Sequence, residues 1–472
     1  MKKIFHFVIA LSLTSIFTAC YQDPRKVDPI IPAPVIARGT ADFTRYIAVG
    51  NSLTAGFADG GLYNAGIAGS YPNLLAAQFR LAGGGNFVQP LFLDNASNGT
   101  PYRKQVGLPS ATNTPRLFDV VASDANCGVG NSRLVSSPSV YNPTAAPLLQ
   151  PYTGPPLNNL GVPGIRVSHS KVSSFGRDRA FGPNVFFNNY YERMLNSSNR
   201  DISYEDYVAA QAANATFFTC WLGNNDVLSY ATAGAPDLPN FLNDMTDITT
   251  FTTNFQAMMT VLLANGRKGV VVTIPYVDKA PFFTTVTLAA FQARIQAGGG
   301  PANAPIWIQA QSGVRQATAD DLFLLTSQGY YAGLYNPTTG LGASSANPIT
   351  DENVLDRDEV IAIKTRTDAF NAVITAYNSN PNVAVVNINT SVLDALSSPA
   401  GFPSFGVTYR STYLQGGAFS TDGIHLSPAG YAVVANEIIK ATNTKFTSAI
   451  PLINTSTFVG LRIYNFLCES PR

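Results

Sequence analysis

Five short apolar runs, set along the chain and separated by longer amphipathic stretches, constrain this sequence more than any other feature. They are RYIAVG (45–50), LNNLG (157–161), ATFFTCWLG (215–223), GVVVTIPY (269–276) and VAVVNIN (383–389). All but the second are nearly continuous in apolar residues, as strands buried on both faces should be. Between them lie segments of helical character: YPNLLAAQFRLA, YEDYVAAQAA, FTTNFQAMMTVLLANG, RDEVIAIKTRTDAFNAVITAYN and SPAGYAVVANEIIKAT. In the fourth, Val360, Ile363, Thr367, Phe370, Val373, Ile374 and Tyr377 recur at three- and four-residue steps and make one apolar stripe. This alternation predicts an α/β fold, a parallel sheet covered by helices and built with right-handed crossovers. Reactive groups in such sheets gather beyond the carboxyl ends of the strands.

The regions outside the alternation have their own character. Residues 1–20, MKKIFHFVIALSLTSIFTAC, carry two lysines and then small residues ahead of a cysteine. The apolar run between them is about 14 residues, which fits an export signal and is too short for a spanning helix. A cysteine directly after Thr18 and Ala19 resembles the bacterial lipoprotein cleavage site, which implies that Cys20 becomes the new amino terminus and carries the lipid. Residues 21–41 hold prolines at 24, 29, 32 and 34 and read as an extended tether. From 42 to 472 the pattern predicts a single domain. Two stretches within it, about 84–155 and about 278–357, break the alternation and read as long loop insertions, the kind that form walls or lids. The expected location is extracytoplasmic: the bacterial cell envelope, at the outer membrane, held through a lipid anchor.

Composition narrows the partners. The formal charge is +1 and charged residues are 12% of the chain, so neither nucleic acid nor an anionic surface is indicated. Beyond Cys20 the cysteines are Cys127, Cys220 and Cys468, an odd number at spacings that suit no metal site. Cys220, inside an apolar run, reads as a buried thiol.

The stretch VGNSLTAGFADGG (49–61) leaves the first strand and places Ser52 at a strand-to-helix junction. A hydroxyl there can cap a helix or act as a nucleophile. Only two histidines follow residue 20, His169 and His425. His425 stands in FSTDGIHLSPAGYAVVANEI, with Asp422 three residues earlier; Ser427 suits an N-cap and Pro428 the first helical position. A carboxylate so placed can accept from Nδ1 and leave Nε2 free to take a proton from a serine. The same turn could equally serve only to cap the last helix. His169, in GIRVSHSKVSSF, lacks a nearby carboxylate and reads as an exposed helical residue. LNNLGVPG ends with Gly164, and WLGNNDVL puts Asn225 and Asp226 at the end of the third strand. A glycine N–H and an asparagine amide are the donors that a developing oxyanion needs, although each alone is an ordinary turn or cap.

Taken in order, GNSL around Ser52, LGVPG around Gly164, GNND around Asn225 and DGIH from Asp422 to His425 resemble the four blocks of the SGNH, or GDSL-type, hydrolase family. The resemblance implies a flavodoxin-like three-layer α/β/α sandwich and hydrolysis of carboxylic esters, with no metal or organic cofactor. It also assigns roles: Ser52 as nucleophile and, through its N–H, first oxyanion donor; Gly164 and Asn225 as second and third donors; His425 as base and then acid, oriented by Asp422. Asn51 stands where aspartate is more common in the family, and the two insertions exceed those of compact members. Expected substrates are small-molecule, lipid or acylated-carbohydrate esters, and the membrane is met through the lipid. The rival readings are a glycan- or partner-binding surface lipoprotein on a hydrolase scaffold, and an acyltransferase using the same site. Trp221 reads as core rather than a sugar platform. FVQPLFLD (87–94) could line an acyl channel or pack beneath its insertion.

Overall fold

The computed structural model describes residues 35–92, 99, 100, 102–105, 118–121, 149, 151–173, 175, 176, 187–195, 200–236, 243–331, 333–336 and 340–461. Cys20, Cys127 and Cys468 lie outside the described residues. From Ile36 onward the chain is one compact unit.

All five apolar runs form strands: β1 (Tyr46–Gly50), β2 (Asn159–Gly161), β3 (Phe217–Trp221), β4 (Lys268–Val272) and β5 (Val383–Val386). Every pairing between them is parallel, and the order across the sheet is β2-β1-β3-β4-β5. This is the doubly wound order of flavodoxin-like sheets, with β1 at the point where the winding reverses. The helices that matter for the site are α1 (Ser52–Ala55), α2 (Tyr71–Leu81), α3 (Tyr204–Ala212), α4 (Asn225–Thr232), α5 (Ile248–Leu263), α6 (Arg357–Thr375) and α7 (Pro428–Phe446).

Because strand side chains alternate in direction, each strand feeds two cores. Ile47, Val49, Phe218, Cys220 and Val271 pack on one face with side chains of α3, α5 and α6. Tyr46, Ala48, Phe217, Val270 and Val386 pack on the other, against α2 and α7. The result is the three-layer sandwich. In α6 the stripe behaves as its spacing requires: Ile363, Thr367, Phe370 and Ile374 are buried, and Phe370 stacks on Phe251 of α5 at 3.8 Å between ring centroids. Asp356 opens α6 with a capping box, its side chain accepting from Asp358 and Glu359 while the Glu359 carboxylate accepts from the Asp356 N–H. Cys220 is a buried free thiol.

The stretch 278–357 differs from the loop that its sequence suggested. It contains a helix at Leu288–Ala297, a hairpin of Trp307–Ala310 with Gly313–Gln316, and a two-residue pairing of Leu322–Phe323 with Val354–Leu355. Phe291, Ile306, Ile308, Phe323, Tyr331 and Ile349 form its own small core. Its strands run only two to four residues between loops, and a single helix, with Leu288, Phe291 and Ile295 at three- and four-residue steps, carries a period. Asp321 ties it to α6, pairing with Arg315 at 2.6 Å and accepting from the Arg357 N–H at 2.8 Å. In the other insertion, Tyr102–Gln105 pairs antiparallel with Phe118–Val121. Of FVQPLFLD, Phe87 stacks against Tyr46 and Phe92 is buried with Ala55, Leu62 and Ile67 beneath the Arg193 guanidinium. These two residues pack against the body of the fold and line neither of the cavities at the site. Among the described residues no helix is long and apolar enough to cross a membrane.

Candidate active site

Strand register places the site. Gly50 at the end of β1 pairs with Gly161 of β2 on one side and with Trp221 of β3 on the other. Ser52, Gly164 and Asn225 follow these three level residues within a few positions, so one edge of the sheet presents all three.

Ser52 opens α1, a single turn that Asn51 caps by accepting from the Leu53 N–H at 3.1 Å. The first intrahelical bond runs from Ala55 N–H to Asn51 carbonyl, so the Ser52 N–H belongs to the unpaired first turn of a helix. The turn lies hard against β2: a Cβ at Gly161 would stand 2.3 Å from the Ala55 nitrogen. Only glycine permits that approach. Asn159 fastens the same junction, donating to Thr54 carbonyl at 2.9 Å and accepting from the Gly161 N–H. Tyr204, buried beneath, donates to Leu160 carbonyl at 2.7 Å.

After β2 the chain turns through Pro163 and Gly164, closed by a bond from Ile165 N–H to Val162 carbonyl at 3.2 Å. Gly164 has φ of 79°, the left-handed conformation that a Pro-Gly turn requires and other residues resist. The Asn225 amide donates to Ile165 carbonyl at 2.9 Å, linking this turn to the start of α4. Beside it, the Asp226 carboxylate accepts from the N–H groups of Val167 and Ser168 and from the Thr246 hydroxyl. Burial outweighs those donors and the charge of Arg166, and pushes the Asp226 pKa up to about 6. His169 is buried, not exposed as its sequence suggested. It closes the short turn Val167–His169 against Phe175, 5.3 Å between ring centres, and burial with the charge of Arg166 brings its pKa down to about 4. Its sequence surroundings are polar, but Val167 beside it accepts from Asn254 of α5, which carries the turn inward.

The last loop brings in the imidazole. Ser427 caps α7, accepting from Gly430 N–H at 3.0 Å, and Pro428 is its first residue. Ahead of it, Asp422 Oδ2 lies 2.8 Å from His425 Nδ1, and His425 Nε2 lies 2.8 Å from Ser52 Oγ. Asp422 Oδ1 also accepts from the N–H groups of Ile424 and His425 and from the Ser420 hydroxyl. Burial opposes ionisation of Asp422, yet the His425 charge and these hydrogen bonds prevail and hold its carboxyl well below the usual range. Phe57 packs over the imidazole, with ring centres 4.6 Å apart.

Sequence reasoning missed the clamp behind this loop. Asp59 accepts from the Thr421 N–H at 3.0 Å and its hydroxyl at 2.9 Å on one oxygen, and from the Tyr63 hydroxyl at 2.6 Å on the other. The Gly60 N–H donates to Asp422 Oδ2 at 2.9 Å, and the Asp59 N–H to Ser420 Oγ at 3.0 Å. The only signal in the sequence was the pair Asp59-Gly60 in FADGG, an ordinary turn until its partners some 360 residues away are known.

Two cavities meet at His425. The first runs inward from Ser52, Asn225 and His425 and is walled almost wholly by apolar side chains. Its cavity volume is about 60 Å³, so it is a narrow slot. Trp221 is core, as expected, with its indole N–H on Thr273 carbonyl at 3.1 Å, and it also walls the slot. The second is an open basin on the outer side of His425, bounded by Arg103 from one insertion and by Phe282 and Leu325 from the other, with a volume of about 420 Å³. Gly164 lines neither cavity; the bond from Asn225 to Ile165 carbonyl ties its turn to the start of α4. Among the described residues no group of His, Cys, Asp and Glu is arranged to hold a metal ion.

A doubly wound α/β sandwich with serine, imidazole and carboxylate joined at the carboxyl edge of its sheet is a hydrolase in class. The model of the GDSL-like Lipase/Acylhydrolase family matches residues 46–438, and the chain belongs to that family, whose activities are ester hydrolysis and acyl transfer. No curated protein and no solved structure matches it.

Proposed function

We propose that the protein hydrolyses carboxylic esters through an acyl-enzyme formed on Ser52. His425 Nε2 takes the hydroxyl proton as Oγ bonds to the ester carbonyl carbon, and the carbonyl π electrons move onto oxygen. The N–H groups of Ser52 and Gly164 and the Asn225 amide stabilise that oxyanion. On collapse the C–O bond to the alcohol breaks and His425 returns the proton to the departing oxygen. Water, deprotonated by His425, then attacks the acyl carbon and releases the acid and free Ser52. Asp422, kept ionised, fixes the imidazole tautomer and balances its transient charge. The observation that carries this reading is the unbroken chain of contacts from Asp422 through His425 to Ser52, at 2.8 Å and 2.8 Å.

A fluorophosphonate probe should label the protein and leave Ser52→Ala unlabelled, with turnover of nitrophenyl acetate lost in the same variant. Equal labelling of both proteins removes Ser52 as the nucleophile. Export and lipid attachment at Cys20 belong to the same reading and rest on residues 1–20. Radiolabelled palmitate fed to producing cells should enter the protein, and Cys20→Ser should abolish incorporation.

A further inference from the structure

The slot and the basin share Ile424 and His425, and the chemistry proposed for Ser52 distinguishes them. Ser52, which carries the acyl carbon, and Asn225, which holds its oxygen, line the slot and not the basin; the basin, bounded by His425 and Asp422, is left for the alcohol. The acyl group therefore has the other direction, past Leu53 and Trp221 and into the slot. Resting on the catalytic reading of Ser52, we infer that the acyl half of the substrate is a straight, saturated chain of medium length threaded into this slot, while the alcohol half stays in the basin.

The slot has the polarity and shape for such a chain. Beyond its mouth it passes the residue that ends β3, Trp221; then Val277 after β4; then Val392 and Leu396 after β5, with Val433 of α7 as roof. It thus crosses the carboxyl edge of the sheet from β1 to β5 in the order β1-β3-β4-β5. Three strand spacings of about 4.8 Å make about 14 Å, the extended length of an acyl chain of about ten carbons. Apart from the reacting groups, the polar side chains of its lining are Asn224, Tyr276 and Trp221, so a polar acyl group finds few partners and a branched one little width. Val392 and Leu396, which follow the last strand in that order, are nearly inaccessible to solvent and bound the far part of the slot. Residues 389–393, which supply Val392, form one turn of π-helix, a wide turn of the sort found at functional sites.

The experiment is a series of nitrophenyl esters from acetate to palmitate. Each methylene that enters the slot should raise kcat/KM about fourfold, with a maximum near decanoate and a fall by palmitate. Leu396→Phe should move the maximum to shorter chains and Leu396→Ala to longer ones, read as the ratio of kcat/KM between esters within each variant. Should either variant fail to fold, the parent series decides, together with 2-ethylhexanoate, which should react at least tenfold more slowly than octanoate. A flat series, or a maximum at acetate, in a protein whose Ser52 still reacts with fluorophosphonate overturns the slot assignment and leaves the catalytic reading standing. Absence of that labelling overturns the catalytic reading and this inference with it.

Discussion

His425 Nε2 stands 2.8 Å from Ser52 Oγ although 373 residues separate them in the chain. The contact joins the first strand-to-helix junction to the loop before the last helix. No local preference of either segment could produce it. It depends on α7 packing on the same face of the sheet as α2 and on the clamp through which Asp59 and Gly60 hold residues 420–422.

That clamp makes Asp59 a positioning residue. Asp59 has φ of 56°, which asparagine tolerates and alanine does not. Asp59→Ala should lower kcat by about tenfold to a hundredfold, since small displacements of a catalytic group are costly, with KM for a given ester little changed. Asp59→Asn keeps an acceptor for Thr421 and should recover most of the loss. If both variants keep the parent's kcat, the clamp has no bearing on the imidazole.

Asn225 carries a heavier load. Removing an oxyanion donor from a serine hydrolase costs about 10² to 10³ in kcat, and Asn225→Ala should show a loss of that order. The fold should lose only about 1 kcal/mol with the bond to Ile165 carbonyl, measurable by urea denaturation. Activity within a few-fold of the parent would remove Asn225 from the oxyanion site.

At Gly164 the constraint is conformational. A Cβ there would meet only Asn188 Nδ2, at 3.5 Å, so space is available, but φ of 79° disfavours any side chain. Gly164→Ala should cost about 1–2 kcal/mol of stability and about tenfold in kcat as the turn relaxes and its N–H swings away. Gly164→Asn, which accepts left-handed backbone, should fall between the two. Full activity in the alanine protein would mean that this N–H does not serve the reaction.

Asp226 predicts an unusual pH dependence of stability. Its pKa in the fold is about 6, above the ordinary value of 3.8, so between those pH values the folded protein holds a proton that the unfolded chain has lost. Stability from this group is complete below pH 3.8 and is lost as pH rises through 6, by on the order of 2–3 kcal/mol. His169, with its lowered pKa, works in the opposite sense over part of this range, so the useful quantity is the difference between the parent and Asp226→Asn. That difference, from urea unfolding at a series of pH values, should move against the parent as pH rises from 4 to 6 and then level off. A difference independent of pH would show that Asp226 is ionised throughout.

Much of this molecule is legible in its sequence, for a local reason. Strands buried on both faces must be continuously apolar, so four of the five were visible as such runs, LNNLG being short and polar in its middle, and the stripe of α6 follows from helical period alone. Ser52, Gly164, Asn225, Asp422 and His425 were legible together because GNSL, LGVPG, GNND and DGIH, in that order, resemble the blocks of the family. The burial of His169 was not visible, since a polar neighbourhood says nothing about which elements later cover it. The core within 278–357 was missed because its strands run only two to four residues and a single short helix among loops sets no alternation.

Sequence alone determined where the backbone is strand or helix and which side chains can do chemistry, since both follow from neighbours along the chain. Tertiary structure decided which of those side chains touch, because strand order and helix packing are set by burying apolar surface across hundreds of residues. It also decided that Asp59 and Gly60 brace residues 420–422, and that an apolar slot opens beside Ser52. Contacts and voids of that kind exist only after the layers have closed on one another.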